Sequence, residues 1–226
     1  MIACRTLGAA EELAARFSNV RAITLDASSE ADLDKHIADY NVVISLILYI
    51  YYVAVIKSAI KSGTDVVTTS YVSDAMRELD EDAKRAGITV LNEVGVDPGV
   101  DHLYAIKKID EVHVKGGKVR EFYSYCGGLH APDCVDNPLG FKFSWSPRGA
   151  LLSQRNSARY LKNGSVEETS SENLMATAAP YYVMDGYDFV AYLNRNSIPF
   201  REFYNILEAY TVIRGSLRYK GNPAFV

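Results

Sequence analysis

Residues 92–146 contain most of the side chains in this chain that could do chemistry. Asp97 precedes Pro98 in a run of Gly, Val and Asp, Cys126 stands between a tyrosine and two glycines, and the single tryptophan is Trp145. Glycine and proline punctuate a stretch that is rich in polar and aromatic groups, as is typical of loops that present side chains to a ligand. The segment therefore predicts a small-molecule site built on loops.

Cysteine and histidine chemistry is less well supported by the sequence. Cys126 has glycine neighbours that leave its thiol accessible, but no activating base accompanies it, so we interpret it as a pocket-wall residue rather than a nucleophile. His102 follows Asp101 at the start of a predicted helix, where a structural role is the more frequent one. The remaining histidines have no ligand spacing with the cysteines, and we predict no metal site.

Bulk composition narrows the class of protein. The chain has 226 residues, 48% of them hydrophobic and 23% charged, and a net charge of -4 with Lys and Arg spread along it. These values are typical of globular domains and do not favour nucleic acid or a membrane as a partner. Three cysteines without a paired framework and no signal-peptide layout at the start indicate a reducing, cytoplasmic setting.

An apolar run at residues 42–56 is about five residues short of a bilayer span. We predict that it is a buried strand that runs directly into a helix.

The first ninety residues alternate between short apolar runs and helical patterns. We expect strands at residues 1–4, 20–25, 41–47, 65–68 and 88–91. Gly63 ends one helix, and a single helix runs from the N-cap Ser73 to Gly87, with its apolar residues on one face. Strands that alternate with helices predict βαβ units and a parallel sheet with right-handed crossovers.

After Gly95 the pattern changes. A helix is expected at residues 101–115, a strand at 118–125, and short strands around 181–192 and 211–219, with loops between them. We therefore predict an α/β protein with two domains. Residues 1–97 form an incomplete Rossmann-type, doubly wound parallel sheet that binds a nucleotide, and residues 98–226 form an α+β substrate domain.

The predicted nucleotide-binding domain lacks the usual phosphate-binding signature. No Gly-x-Gly-x-x-Gly motif occurs, and Gly8 stands alone in a predicted helix. If residues 1–4 are the second strand of such a sheet, Arg5 stands where an acidic residue would bind the ribose of NAD. An arginine there fits the 2′-phosphate of NADP. The alternative is that Arg5 is an ordinary solvated side chain.

Several motifs together resemble one family. They are Ala3-Cys4-Arg5-Thr6, the runs at residues 43–47 and 67–73, the long block at residues 92–146, Asn194-Arg195 and the run at residues 213–219. With these motifs the chain resembles the saccharopine dehydrogenase family of the NADP-dependent, glutamate-forming type, and the fungal form most. The resemblance covers essentially the whole chain. It implies an oxidoreductase of lysine synthesis that reduces the imine of glutamate and α-aminoadipate semialdehyde to saccharopine with NADPH, and the reverse.

The resemblance also implies site residues. Those expected to bind NADP are Cys4, Arg5, Thr6, Asp26, Ile47, Thr69, Ser70, Val96, Asp97, Pro98 and Ser146. Those expected to bind the amino acid are Tyr71, Val72, Asp97, Trp145, Arg195, Ser216, Leu217 and Arg218. Tyr71, Asp97 and Cys126 are the candidate catalytic residues. We also expect Asp97, Cys126 and Trp145 to form one wall of a crevice that faces the cofactor.

The chemistry of saccharopine agrees with these assignments. Its three carboxylates call for several cations, and the guanidinium groups of Arg195, Arg214 and Arg218 can each grip a carboxylate through two hydrogen bonds. Its secondary amine exchanges protons around hydride transfer, so a nearby carboxylate or phenol is useful. Asp97 and Tyr71 are the candidates for that exchange, although an aspartate before a proline is also a common turn residue.

The chain departs from the family in places. Leu48 stands where the family has proline and Tyr52 where it has histidine, so we expect a changed loop beside the cofactor. The first strand and glycine-rich loop are expected to be missing before Met1, and helices are expected to be missing after residue 226. We therefore expect weak NADPH binding and little turnover. The resemblance also implies that residues 98–226 form a dimerisation domain and that the protein is a homodimer. The alternatives are a reductase that acts on another imine or amine and a non-catalytic module.

Overall fold

Alternating strands and helices build the first of two units in the computed structural model, which describes the backbone of residues 1–225. This unit is Met1–Val100, and the second is Asp101–Val226. The strands of the first unit are β1 (Ile2–Cys4), β2 (Ala22–Thr24), β3 (Val42–Ser45), β4 (Asp65–Thr68) and β5 (Val90–Leu91). Its α-helices are α1 (Leu7–Ala14), α2 (Glu30–Ile37), α3 (Tyr52–Ser62), α4 (Asp74–Arg77) and α5 (Asp80–Ala86), and a 3₁₀ turn (Tyr49–Tyr51) precedes α3.

All strand pairs of the first unit are parallel, as the alternating pattern predicts. They form two sheets, however, rather than one. β1 pairs with β2, and a separate sheet has the order β3-β4-β5. The prediction of a parallel α/β fold is therefore confirmed, with the sheet divided between β1 and β3.

The helix predicted after Ser73 is wrong in one respect, because it is broken into α4 and α5. The Ser73 hydroxyl caps α4 by accepting a hydrogen bond from the Met76 amide, as predicted. A second helix then starts with three consecutive acidic residues at 80–82. Acidic residues are favoured at a helix N-terminus, so this run suits a new start better than a helix interior. Gly63 and Gly87 end α3 and α5 in the left-handed conformation, with φ of 68° and 71°.

The core of the first unit lies between α2, α3 and one face of β3 and β4. Leu33, Ile56 and Val66 are at its centre. The opposite face of the three-stranded sheet is apolar but open, since Val42, Ile44 and Leu91 are 48%, 64% and 54% exposed. The strand predicted at the start of residues 42–56 is therefore exposed, not buried, on this face. It also does not run directly into the helix, because the 3₁₀ turn separates β3 from α3. Among the described residues, no helix combines the length and apolar character needed to cross a membrane.

A mixed six-stranded sheet organises the second unit. The strands are β6 (Glu121–Cys126), β7 (Ala158–Lys162), β8 (Ser165–Thr169), β9 (Ala179–Pro180), β10 (Phe189–Leu193) and β11 (Thr211–Tyr219). The α-helices are α6 (Val100–Val114), α7 (Pro147–Ser153), α8 (Phe200–Phe203) and α9 (Asn222–Phe225), with 3₁₀ turns at Pro132–Cys134 and Met175–Thr177. The order is β8-β7-β11-β10-β9, and β6 pairs with β11.

β11 is the central strand of this sheet, and its residues are mostly buried. It pairs in parallel with β6 and antiparallel with β10. The strand expected around residues 181–192 is wrong at its start, because residues 181–188 form loop structure and β10 begins only at Phe189. The hairpin of β7 and β8 was not predicted. Asn163 and Gly164 connect its strands with φ of 50° and 83°.

Candidate active site

The predicted cofactor residues of the first unit follow the carboxyl ends of its strands. Arg5 and Thr6 follow β1, Asp26 comes after β2, and Ile47 comes after β3. Thr69 and Ser70 follow β4. Ligands of doubly wound proteins bind beyond the carboxyl ends of the strands, near the point where the strand order reverses. The side chains on this edge are therefore in positions suited to a nucleotide.

Asp26 and Arg5 are the charged groups at the ends of the first two strands. The Asp26 carboxylate accepts hydrogen bonds from the Ser28 hydroxyl at 2.7 Å and from the Ser28 amide at 2.9 Å. These bonds, with a smaller contribution from the charge of Arg5, lower the pKa of Asp26. Arg5 itself is exposed, and no described carboxylate forms an ion pair with it, so its guanidinium is available to an anion.

Tyr52 and Thr69 connect α3 to the end of β4. The Tyr52 side chain is buried, and its hydroxyl lies 3.2 Å from the Thr69 hydroxyl. Tyr52 stands where the resemblance implies a histidine, so this departure contacts a predicted cofactor residue directly. Leu48, the other departure, is exposed at the start of the 3₁₀ turn.

The turn at residues 94–99 brings Asp97 to the same edge. The Val94 amide donates to the carbonyl of Thr68, and the Val100 amide donates to the carbonyl of Gly95. The Asp97-Pro98 peptide bond is cis. Gly99 has a φ of 144°, and a Cβ atom there would lie 2.2 Å from the Gly95 carbonyl oxygen. Only glycine fits this turn without a shift of the backbone.

Tyr71 and Asp97, the two predicted proton-transfer residues, are in direct contact. The Tyr71 hydroxyl donates a hydrogen bond to Oδ1 of Asp97. Glu93, which the sequence analysis missed, contacts the residue after Tyr71, because its Oε1 accepts a hydrogen bond from the Val72 amide at 3.0 Å. Glu93 also has a φ of 63°, which is rare for a residue with a side chain. The sequence contains no signal for that conformation.

In the second unit, Cys126 and Ser216 lie side by side on paired strands. Cys126 is the last residue of β6 and is in register with Ser216 of β11. The close approach of these two chain segments requires glycine at positions 127 and 215. A Cβ at Gly127 would lie 2.5 Å from the Leu217 carbonyl oxygen, and a Cβ at Gly215 would lie 2.4 Å from the Tyr125 ring. Cys126, Ser216 and Leu217 are thus held together, and burial raises the pKa of the neighbouring Tyr125.

Arg218 is a buried cation without a carboxylate partner in the part of the chain that the structure describes. Its Nη1 donates to the Leu217 carbonyl at 2.7 Å, and its Nε has no partner. The guanidinium carbon lies 4.9 Å from the centre of the Phe141 ring. A buried charge that lacks a counter-ion is costly. Binding of an anion would offset that cost.

The cavity beside Arg218 is small. Its volume is about 10 Å³, which is room for about one water molecule. Gln154 also lines it, and its Oε1 accepts no hydrogen bond from any of the described residues. The cavity by itself is too small for an amino acid.

Arg195 and Arg214 differ in what surrounds them. Arg195 is exposed in a turn after β10 with a φ of 47°, and its guanidinium has no side-chain partner among the described residues. Left-handed residues with side chains cluster at functional sites. Arg214 is instead engaged structurally, because its Nη2 donates to Oδ2 of Asp101 at 2.8 Å and its guanidinium stacks on Phe200.

Trp145 and Ser146 begin α7. The Ser146 hydroxyl accepts a hydrogen bond from the Gly149 amide and so caps this helix. The exposed Trp145 ring packs against Gly149, where a Cβ would lie 2.6 Å from it. Trp145 and Cys126 belong to the second unit and Asp97 to the first. The wall that the sequence analysis predicted from these three residues stays a prediction.

Two of the histidines have structural partners. His102 Nδ1 lies 2.6 Å from the Tyr204 hydroxyl, and His113 Nε2 lies 2.8 Å from the Glu208 carboxylate. Hydrogen bonds from the backbone and His113 lower the pKa of Glu208 to about 2. In the described part of the chain, no three His, Cys, Asp or Glu side chains form a group that could hold a metal ion. No disulfide bond joins any two of Cys4, Cys126 and Cys134.

The parallel strands, the polar strand ends and the second α+β unit define a two-domain protein of the dinucleotide-binding class. Residues 1–91 match the family model described as saccharopine dehydrogenase NADP binding domain, and residues 95–226 match saccharopine dehydrogenase C-terminal domain. The chain belongs to the saccharopine dehydrogenase family. The resemblance described from the sequence is therefore confirmed.

Individual relatives agree with the family models. Over 225 residues the chain is 59% identical to saccharopine dehydrogenase [NADP(+), L-glutamate-forming] of Saccharomyces cerevisiae, covering 100% of this chain and 50% of that protein. It is 56% identical to the protein of the same name from Pyricularia oryzae, again with 100% and 50% coverage. A solved structure, apo histidine-tagged saccharopine dehydrogenase (L-Glu forming) from Saccharomyces cerevisiae, superposes with a TM-score of 0.91 over 99% of this chain and 50% of that one. The chain thus spans about half the length of these relatives.

Proposed function

We propose that this chain carries the NADPH-binding and saccharopine-binding residues of a saccharopine dehydrogenase of the glutamate-forming type. The reaction is reduction of the imine that glutamate forms with α-aminoadipate semialdehyde, and its reverse. A hydride is added to the imine carbon and a proton to the nitrogen, which gives the secondary amine of saccharopine. The observation that carries this proposal is the 59% identity to the yeast enzyme over 225 residues.

The strand ends of the first unit fit NADP. Arg5 offers an unpaired guanidinium for the 2′-phosphate at the end of β1. Thr6, Ile47, Thr69 and the turn at residues 96–98 would line the rest of the cofactor. NADPH, when bound, supplies the hydride.

Tyr71 and Asp97 are suited to handle the proton. An imine accepts hydride at its carbon more readily when its nitrogen is protonated, so a nearby acid assists the reaction. The hydroxyl of Tyr71 donates a hydrogen bond to the carboxylate of Asp97, so a phenol and a carboxylate lie together at this edge. In this proposal the pair protonates the substrate nitrogen, while Cys126 forms part of the pocket wall and does no covalent chemistry.

Arg195 and Arg218 are the proposed carboxylate-binding residues. One is an exposed guanidinium in a left-handed turn, and the other is buried with no carboxylate partner among residues 1–225. Both arrangements favour an anionic ligand, and saccharopine has three carboxylates. The homodimer and the cytoplasmic location expected from the sequence remain predictions that rest on the resemblance and on cysteine usage.

Titration calorimetry with saccharopine tests this function. We expect Arg195→Ala to weaken saccharopine binding at least about tenfold through loss of charged hydrogen bonds, and to leave the NADPH dissociation constant unchanged. Arg159→Ala is the matched control, because Arg159 pairs with Glu168 on an exposed hairpin and is expected to have no effect. NADPH binding without saccharopine binding would favour a reductase for another amine. Binding of neither ligand would favour a non-catalytic module.

A further inference from the structure

The guanidinium of Arg218, at the end of β11, lies beside two aromatic rings. Its central carbon is 4.9 Å from the centre of the Phe141 ring and 5.9 Å from the centre of the Tyr192 ring. Aromatic rings contact the faces of a guanidinium, whereas its N–H donors point outward in its own plane. Nη1 donates to the Leu217 carbonyl at 2.7 Å, and the buried Nε donates to none of the described residues. The direction of the guanidinium plane therefore depends in part on what Nε contacts.

Gln154, the only glutamine in the chain, lines the same small cavity as Arg218. It directly follows α7 and is buried, with 5% of its surface exposed. Its Oε1 is buried as well and accepts no hydrogen bond from any described residue. The cavity thus brings together a residue that has an unused donor, Arg218, and a residue that has an unused acceptor, Gln154.

Asn222 fixes which end of the Gln154 amide remains for another partner. A carbonyl oxygen can only accept hydrogen bonds, so Nδ2 of Asn222 is the atom that donates to the Leu139 carbonyl at 2.9 Å. Oδ1 of Asn222 then accepts from Nε2 of Gln154 at 3.2 Å. Rotation of the Gln154 amide by half a turn would place two acceptor oxygens against each other. Oε1 is therefore the atom that remains for a further hydrogen bond.

A single water molecule is the occupant of the cavity that suits these two groups. The volume of about 10 Å³ is room for about one water. Water can accept a hydrogen bond from Nε of Arg218 and donate one to Oε1 of Gln154 at the same time. An anion would be repelled by Oε1, and a cation would be repelled by the guanidinium. Apart from Asn222, the other lining side chains are apolar, namely Leu139, Phe141, Phe143, Ala150 and Leu151.

We propose that Gln154 is a positioning residue for Arg218 and acts through one buried water molecule. The water accepts from Nε of Arg218 and donates to Oε1 of Gln154, and the hydrogen bonds continue through Asn222 to the backbone of Leu139. This chain of hydrogen bonds connects the end of β11 to the end of α7 and the start of α9. It holds the guanidinium plane in one direction and leaves the Nη atoms for an anionic ligand.

The consequence for ligand binding rests on the proposed function, in which Arg218 binds a carboxylate of saccharopine. A guanidinium that is already fixed loses less conformational entropy when it binds a carboxylate, so it binds more tightly. Gln154 would therefore raise the affinity for saccharopine without contacting the ligand. The water bridge itself does not depend on which anion Arg218 binds.

NMR spectroscopy of the unchanged chain tests the water bridge without any substitution or ligand. The signal of the Arg218 Nε–H group is assigned through bonds from its backbone amide, and magnetisation transfer from water is measured in the rotating frame. We expect a cross-peak of opposite sign to the diagonal, which a bound water gives and hydrogen exchange does not. Among the described residues, those that line the cavity have no hydroxyl group that could imitate this signal. The proposal is overturned if this cross-peak is missing.

The Gln154→Met variant tests the positioning of Arg218. Methionine has a similar volume but no amide group, so we expect the fold to tolerate it. The water cross-peak should be lost, and ¹⁵N relaxation should show a more mobile Nε–H bond at Arg218. In titration calorimetry, we expect the saccharopine dissociation constant to rise at least about fivefold and that of NADPH to stay unchanged.

Asn156→Ala is the matched control, because the Asn156 amide donates to the Ser153 carbonyl at 3.1 Å and lies outside the cavity wall. We expect it to change neither the cross-peak nor the relaxation. A Gln154→Met variant that keeps the cross-peak or a rigid Nε–H bond overturns the proposal, and so does an unchanged saccharopine affinity beside a more mobile bond. If the unchanged chain binds no saccharopine, the proposed function fails, and the two NMR measurements alone decide the role of Gln154.

Discussion

Replacement of Asp101 by alanine should lower the free energy of unfolding of the second unit by about 3–5 kcal/mol. Arg214 donates to Asp101 at 2.8 Å, and the two side chains are only 9% and 8% exposed. Loss of the carboxylate removes this buried ion pair from a guanidinium that stacks on Phe200. Urea denaturation followed by tryptophan fluorescence measures the change, because the only tryptophan, Trp145, belongs to the same unit.

Glu168→Ala is the matched control for this prediction. Glu168 pairs with Arg159 at 3.0 Å, but the side chains are 70% and 52% exposed. Solvent-exposed ion pairs contribute about 0–1 kcal/mol, so we expect a loss within that range. Equal losses in the two variants would show that burial does not govern the contribution of the Asp101–Arg214 pair.

The second large effect is expected for Gly99→Ala, which should destabilise the first unit by about 3 kcal/mol or more. A Cβ atom at this position meets three backbone atoms of Glu93 and Gly95 at 2.2 to 2.6 Å, and φ is 144°. The backbone of the turn has to move, and Asp97 moves with it. Thermal unfolding followed by circular dichroism measures the loss.

Gly8→Ala is the matched control for that substitution. Gly8 lies within α1, and nothing lies within 4 Å of the position that its Cβ would occupy. Alanine in a helix is more favourable than glycine by about 0.5–1 kcal/mol, so this variant should be slightly more stable. If Gly99→Ala melts at the temperature of the unchanged chain, the close packing of the turn does not exist.

The sequence predicted the parallel α/β part well because its signals are local. Apolar runs, the Ser73 cap and the left-handed glycines at positions 63 and 87 each act within a few residues. The break between α4 and α5 was missed, although the acidic run at residues 80–82 marks a helix start. The β7–β8 hairpin was missed as well. Asn163-Gly164 between alternating residues is a strong hairpin signal and could have predicted it.

Other features depend on contacts that are distant in the sequence. The pairing of Cys126 with Ser216 joins residues ninety positions apart, and it follows from strand register rather than from any local pattern. The left-handed conformation of Glu93 and the hydrogen bond between Tyr52 and Thr69 arise in the same way. The resemblance to the family identified candidate residues, and the structure adds what each one contacts.

We propose above all that the strand ends of the first unit hold a phosphorylated nicotinamide cofactor through Arg5. Equilibrium titration of the chain with NADPH and with NADH, followed by nicotinamide fluorescence, tests it most directly. We predict weak binding that favours NADPH over NADH at least about tenfold, with the preference lost in Arg5→Ala and kept in the surface control Arg16→Ala. Equal affinities for the two cofactors, or a preference that survives in Arg5→Ala, would contradict the account.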